Sequence, residues 1–251
     1  MRPPSALEAL RAQVRQIEGR NRRTASVLPF GIPALDARLA HGGLARGALH
    51  EVAGAGHDAA ATLFAAGIAA RAGGKVLWCL TQPDLFAPAL SQAGLTSDRV
   101  IYLEGGDDRT VLACCEEGLR HGGLGAVVAE IVRLGMTASR RLQLAAEASA
   151  TIGIALRRRY GAASSDAVCP ADAAPPSAAV TRWRIAALPA APLPVPGVGR
   201  PRWRVELIRS RSGEGATFEL EACDDTGHLR LPAEPVHGSG QAAGGPSRAF
   251  G

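Results

Sequence analysis

Residues 47–62 read GALHEVAGAGHDAAAT, an apolar strand that passes through two glycines into an alanine-rich stretch. Strand, glycine loop and helix in this order mark the place where a nucleotide enzyme carries GxxxxGK[ST]. In that motif backbone N–H groups cradle phosphates at a helix N-terminus, while the lysine and the following hydroxyl handle the outer oxygens and magnesium. Laid on that pattern, Gly54 takes the first glycine and Gly56 lies inside the loop. Ala59 falls on the second glycine, Ala60 on the lysine, Ala61 on the hydroxyl position, and Thr62 arrives one residue late. The helix N-terminus alone favours a nearby anion by about 0.3–1 kcal/mol, and Asp58 opposes it. The only lysine in the chain, Lys75, sits a helix length away, before the next strand. The loop is therefore expected to be degenerate, with no catalytic residue and no bound cofactor.

Working outward, the pattern alternates. Strands are expected at 48–53, 75–80 (KVLWCL), 100–104 (VIYLE), 125–130 (GAVVAE) and 152–157 (IGIALR), with helices at about 60–72, 84–93, 108–120 and 138–149, the last capped by Thr137. Short apolar strands separated by helices predict a parallel sheet covered on both faces. Glu130 ends its strand where a magnesium-side carboxylate would stand, a relic metal position that is also an ordinary way to stop a strand. In LTQPD (80–84), Gln82 stands where a water-orienting glutamate is wanted, with Asp84 two residues on.

The rhythm breaks at 161–180, rich in Ala, Ser and Pro, which reads as a flexible linker. TRWRIAAL (181–188) and PRWRVELIRS (201–210) then alternate with period two, placing Trp183 and Trp203 inward and Arg182, Arg184, Arg202 and Arg204 outward on an antiparallel extension, and ATFELEA (216–222) pairs back. The domain reading is thus an N-terminal amphipathic helix and basic linker (1–25), an α/β core (26–160), the linker (161–180), C-terminal antiparallel strands completing the core sheet (181–232) and a disordered tail (233–251).

Composition bounds the function. No apolar run is long enough for a membrane span, the N-terminus is too charged for a secretory signal, and five cysteines without CxxC or metal spacing fit a reducing cytoplasm. His57 and His121 lack ligand partners at metal spacing and read as structural or exposed. The net charge of +5 permits nucleic-acid contact without requiring it. Candidate DNA or protein contacts are Arg20, Arg22 and Arg23 of the RNRR run, Arg157, Arg158 and Arg159 at the end of the fifth strand, and Arg182, Arg184, Arg202 and Arg204. Such arginines can contact the phosphates of single-stranded DNA, although exposed arginines commonly only solvate a sheet face.

LPFGIPALDARLAHGGLARGALHEVAG (28–54) and WRVELIRSRSGEGATFELE (203–221), with the sheet core between them, resemble the RecA-type core fold and within it the ImuA family, often grouped with the cell-division inhibitor SulA. The resemblance spans roughly residues 5–232. It implies a mostly parallel sheet flanked by helices and a loop without the recombinase lysine. It also implies an accessory role in SOS-induced DNA damage tolerance, translesion synthesis and mutagenesis. The implied partners are an ImuB-like inactive Y-family polymerase homologue, an error-prone C-family DNA polymerase and, in some lineages, RecA. A RecA-like ATPase with a degenerate phosphate loop and a SulA-like division inhibitor stand as alternatives.

Overall fold

The computed structural model describes residues 26–56, 58–158, 175–190, 197, 199–211 and 214–232. A small ribbon of β1 (Val27–Leu28) and β2 (Leu44–Ala45) encloses the short helix α1 (Pro33–Asp36). The turn before α1 is tied by Asp36, whose carboxylate accepts the N–H groups of Phe30 at 2.7 Å and Gly31 at 2.9 Å.

The core alternates β3 (Leu49–Gly54), α2 (Ala59–Ala72), β4 (Val76–Leu80), α3 (Ala87–Gln92), β5 (Val100–Glu104), α4 (Asp108–His121), β6 (Ala126–Ile131), α5 (Met136–Ser149) and β7 (Ile152–Arg157). Three strands follow: β8 (Thr181–Leu188), β9 (Arg202–Ser210) and β10 (Ala216–Glu221). Eight strands form one sheet in the order β10-β9-β8-β3-β7-β6-β4-β5. The expected α/β class, parallel core and antiparallel C-terminal strands are all present. One pairing differs. β8 runs parallel to β3 and only β9 and β10 are antiparallel to their neighbours. The 23 residues between Arg157 and Thr181 are long enough for the crossover that a parallel neighbour needs. The side-chain alternation survives because it is a property of the strand and not of its pairing.

Alternation also sorts the core into two layers. Val128, Ile154, Leu156, Trp78, Trp183 and Trp203 face α2, whereas Val127, Ala129, Ile131, Ala155 and Leu49 face α4 and α5. Helix α2 is apolar around its whole circumference, as a helix buried on both sides must be. Its far side packs against the chain beyond β10, so closely that a Cβ at Gly67 would lie 2.3 Å from the Cys223 sulfur. Helix α4 starts at Asp107, whose side chain accepts the Thr110 N–H, and stops at Gly122 in the left-handed region (φ +70°). Helix α5 begins one residue before the expected cap: Gly135 is at the N-cap, so Thr137 lies within the first turn.

Residues 175–180, expected within the flexible linker, instead lie against the sheet, with Ser177 and Ala179 buried. Their small side chains let the backbone run close under α5, where Ala178 N–H donates to Ser139 Oγ at 2.9 Å. The expected N-terminal helix and basic linker, residues 159–174 of the crossover and the C-terminal tail lie outside the described residues.

Candidate functional site

The C-terminal edge of β3, β6 and β7 is where a nucleotide would be held in this architecture, and the chain ends those strands with charge. β7 is followed by Arg158. Residues 152, 154 and 156 of β7 face α2, so period two sends Arg157 to the opposite face and Arg158 back towards α2. There the Arg158 guanidinium meets three carboxylates: Glu130 at 3.0 Å, Asp84 at 2.6 Å and Asp58 at 3.7 Å. Only 12% of the Arg158 side chain and none of the Glu130 side chain is exposed. The indole N–H of buried Trp78, on the neighbouring strand, donates to the other Glu130 oxygen at 2.6 Å. Burial raises the Glu130 pKa above the ordinary carboxylate value. Arg158 and the Trp78 hydrogen bond pull it down, and the nearby Asp84 and Asp58 charges add to the rise.

This cluster assigns a place to most of the loop residues. Gly54 ends β3, and the Ala55 N–H continues the ladder by donating to Ile185 O at 2.8 Å. Gly56 turns with φ +94° and has open space where a Cβ would stand. Ala59 begins α2 and is exposed, whereas Ala60 and Ala61 are buried in the apolar layer beneath the sheet. Thr62, the misplaced hydroxyl, donates to the Asp58 carbonyl at 3.1 Å inside its own helix. Gln82 is exposed. A backbone turn is retained, while the position between loop and sheet that favours a cation holds the guanidinium of Arg158.

A second buried carboxylate sits on the other face. Glu51 of β3 receives Arg157 at 3.2 Å, Arg182 at 3.0 Å and the Ser177 hydroxyl at 2.7 Å. It fastens the crossover segment 175–180 to the sheet. Beside it, His50 completes a polar chain. Trp183 Nε1–H donates to Thr181 Oγ1 at 2.7 Å, and that hydroxyl lies 2.8 Å from His50 Nδ1. His50 Nε2 is 2.9 Å from the Ala45 carbonyl, which can only accept, so Nε2 carries a proton. Full burial lowers its pKa to about 4.

Among the described residues most of the candidate contact arginines are engaged with carboxylates. Arg157, Arg158 and Arg182 are spent on Glu51 and Glu130, Arg184 pairs with Glu206, and Arg202 pairs with Glu219 at 2.9 Å. The cross-strand register places these carboxylates opposite the arginines: Arg184 faces Glu206 directly, and Arg202 reaches diagonally to Glu219. Arg204 alone of the two arginine pairs is exposed without an ion pair among the described residues. Both tryptophans point inward as expected. Arg20, Arg22, Arg23, Arg159 and His57 lie outside the described residues, and His121 is exposed at the end of α4, accepting the Gly123 N–H. Among the described residues no cluster of His, Cys, Asp or Glu is arranged to hold a metal, and no helix is long and apolar enough to cross a membrane.

The sheet order and the strand–loop–helix at β3 define a RecA-like fold. The crystal structure of the RadB recombinase superimposes with a TM-score of 0.55 at 18% identity, covering 82% of this chain and all of that one. No protein-family model matches. In sequence the chain is 38% identical over 222 residues to Protein ImuA of Caulobacter vibrioides in strains NA1000 / CB15N and ATCC 19089 / CIP 103742 / CB 15, covering 84% of this chain and 89% of each relative. The chain belongs to the ImuA family.

Proposed function

We propose that this protein is a non-catalytic, RecA-like accessory factor in SOS-induced DNA damage tolerance, keeping the shape of a nucleotide enzyme and working through contacts with other proteins. The observation that supports the reading is the Arg158 guanidinium held by Glu130, Asp84 and Asp58 on the loop side of the sheet. A triphosphate brought to that loop meets two aspartates and a glutamate, has no lysine to meet it, and must break a buried ion pair to gain the one cation nearby. Removing one partner of such a pair costs about 3–5 kcal/mol, more than a helix N-terminus returns. Glu130, hydrogen-bonded by Trp78 on one side and ion-paired with Arg158 on the other, is likewise engaged where a magnesium-side carboxylate must be open.

Membership in the ImuA family supports the setting: translesion synthesis in the cytoplasm beside an ImuB-like inactive Y-family polymerase homologue, an error-prone C-family polymerase and RecA. The test is capture of the purified polymerase homologue by the full chain, with and without a chelator and an ATP-consuming enzyme. Equal capture in both is expected. Capture that requires magnesium and ATP overturns the reading.

A further inference from the structure

On the α5 face of the sheet, away from the Arg158 cluster, a groove of about 380 Å³ runs between the start of α5 and the end of β9. Three arginines line it, Arg140 on α5 and Arg209 and Arg211 at the end of β9, together with Met136, Ser177 and Ala178. Among the described residues no carboxylate lines it. Elsewhere Arg120, Arg141, Arg157, Arg158, Arg182, Arg184, Arg200, Arg202 and Arg230 sit in ion pairs, and Arg46, Arg71 and Arg99 are held by backbone carbonyls. None of the three groove arginines has an ion pair among the described residues. All three are exposed.

Arg209 is also aimed. Its Nη2 donates to the carbonyls of Ser177 at 2.8 Å and Ala179 at 2.6 Å, which fixes the guanidinium over the crossover segment. The first turn of α5 adds the positive end of a helix that has no side-chain cap.

We infer that this groove binds the phosphodiester backbone of a nucleic-acid strand, without reading its bases. Arginine forks suit phosphate oxygens. Among the described residues the lining has no aromatic side chain on which a base could stack, so the contact is with the backbone. Its apolar content, Met136 and Ala178, gives no pocket for the aromatic or aliphatic anchors by which a peptide is gripped. The inference is independent of whether the phosphate loop takes nucleotide.

The experiment is fluorescence anisotropy of labelled oligothymidylate with the full chain across a salt series. The variants are Arg140→Gln, Arg211→Gln and their double, which spare the Arg209 carbonyl contacts, with Arg38→Gln, exposed on the opposite side of the sheet, as the control. Binding by the wild type is expected to weaken steeply with salt, and the double variant is expected to flatten the logarithmic slope by about 1.4, at roughly 0.7 per lost phosphate contact on a single strand. Arg38→Gln should bind as the wild type does, and thermal unfolding should show all variants folded. The inference fails if the wild type does not bind at low salt, or if the folded double variant keeps the wild-type slope. It fails equally if polyglutamate of matched charge competes as well as the oligonucleotide, which would make the groove an acidic-peptide site.

Discussion

Arg158 holds buried Glu130 at 3.0 Å, while its neighbour in sequence, Arg157, turns to the other face of the sheet and holds buried Glu51 at 3.2 Å. Two consecutive residues at the end of one strand thus neutralise the two carboxylates that the sheet buries beside its parallel centre. What reads in sequence as a basic run is, in the fold, a pair of internal counterions pointing opposite ways.

Removing either counterion should be costly. Arg158→Met leaves Glu130 without its cation in a site closed to solvent, and a loss of about 3–5 kcal/mol is expected. Replacing both, as Arg158→Met with Glu130→Met, should recover most of that loss, because a buried ion pair exchanged for apolar groups is close to neutral. Urea unfolding midpoints decide it. A single variant within about 0.5 kcal/mol of wild type, the usual range for surface changes, would contradict the assignment.

The Glu51 cluster makes a local prediction. Glu51→Gln removes the charge shared by Arg157, Arg182 and Ser177, so the 175–180 segment should loosen before the rest of the fold. Hydrogen exchange at the Ala178 amide, which donates to Ser139 Oγ, should accelerate by at least tenfold relative to amides in β6. Unchanged exchange at Ala178 would show that the apolar contacts of Ala179 hold the segment by themselves.

His50 gives stability a pH dependence. Its pKa falls from the ordinary 6.5 to about 4 in the fold because burial excludes the charged form. The unfolded chain therefore takes up a proton below 6.5 that the native state refuses, and stability is lost as pH falls through the window from 6.5 to about 4. Near pH 5 the loss amounts to about 2 kcal/mol. Glu130 acts in the opposite sense, since its raised pKa costs stability as pH rises above 4.5. The difference between wild type and His50→Asn unfolding profiles isolates the histidine. Parallel profiles from pH 7 to pH 5 would mean that His50 titrates normally.

Restoring the missing lysine should not restore chemistry. Ala60 is buried against the sheet, so Ala60→Lys must force a long charged side chain out of an apolar layer, at a cost of about 1–3 kcal/mol in packing strain. Asp58 and Glu130 remain engaged with Arg158, and Ala61 still supplies no hydroxyl. ATP turnover in this variant should stay at the level of buffer. Measurable hydrolysis would show that the loop lacked only its cation.

The fold was legible because strands and helices here carry the strongest one-dimensional signals. Alternation around Trp183 and Trp203 and the apolar runs of β4 and β6 name their own burial. Missing was the use of charge. His50 and Glu51 stand inside an apolar strand, and a polar pair at that place announces buried partners. Those partners lie 131 residues away at Thr181 and Arg182, a separation that no local pattern spans. The Trp78–Glu130 hydrogen bond could be anticipated only with the β4–β6 register in hand. The period of the arginines was legible, but the burial of Arg182 was not, because β8 lies beside β3 and Glu51 waits there for it. The groove at Arg140, Arg209 and Arg211 joins residues from elements far apart in the chain, and none of the three stood out from the arginine-rich background.

We propose that the Arg158 cluster leaves this RecA-like fold without a nucleotide site. Isothermal titration of the full chain with ATP and magnesium tests it most directly. A flat titration indistinguishable from dilution is the predicted result. Saturable, magnesium-dependent heat that disappears on adding a chelator would contradict it.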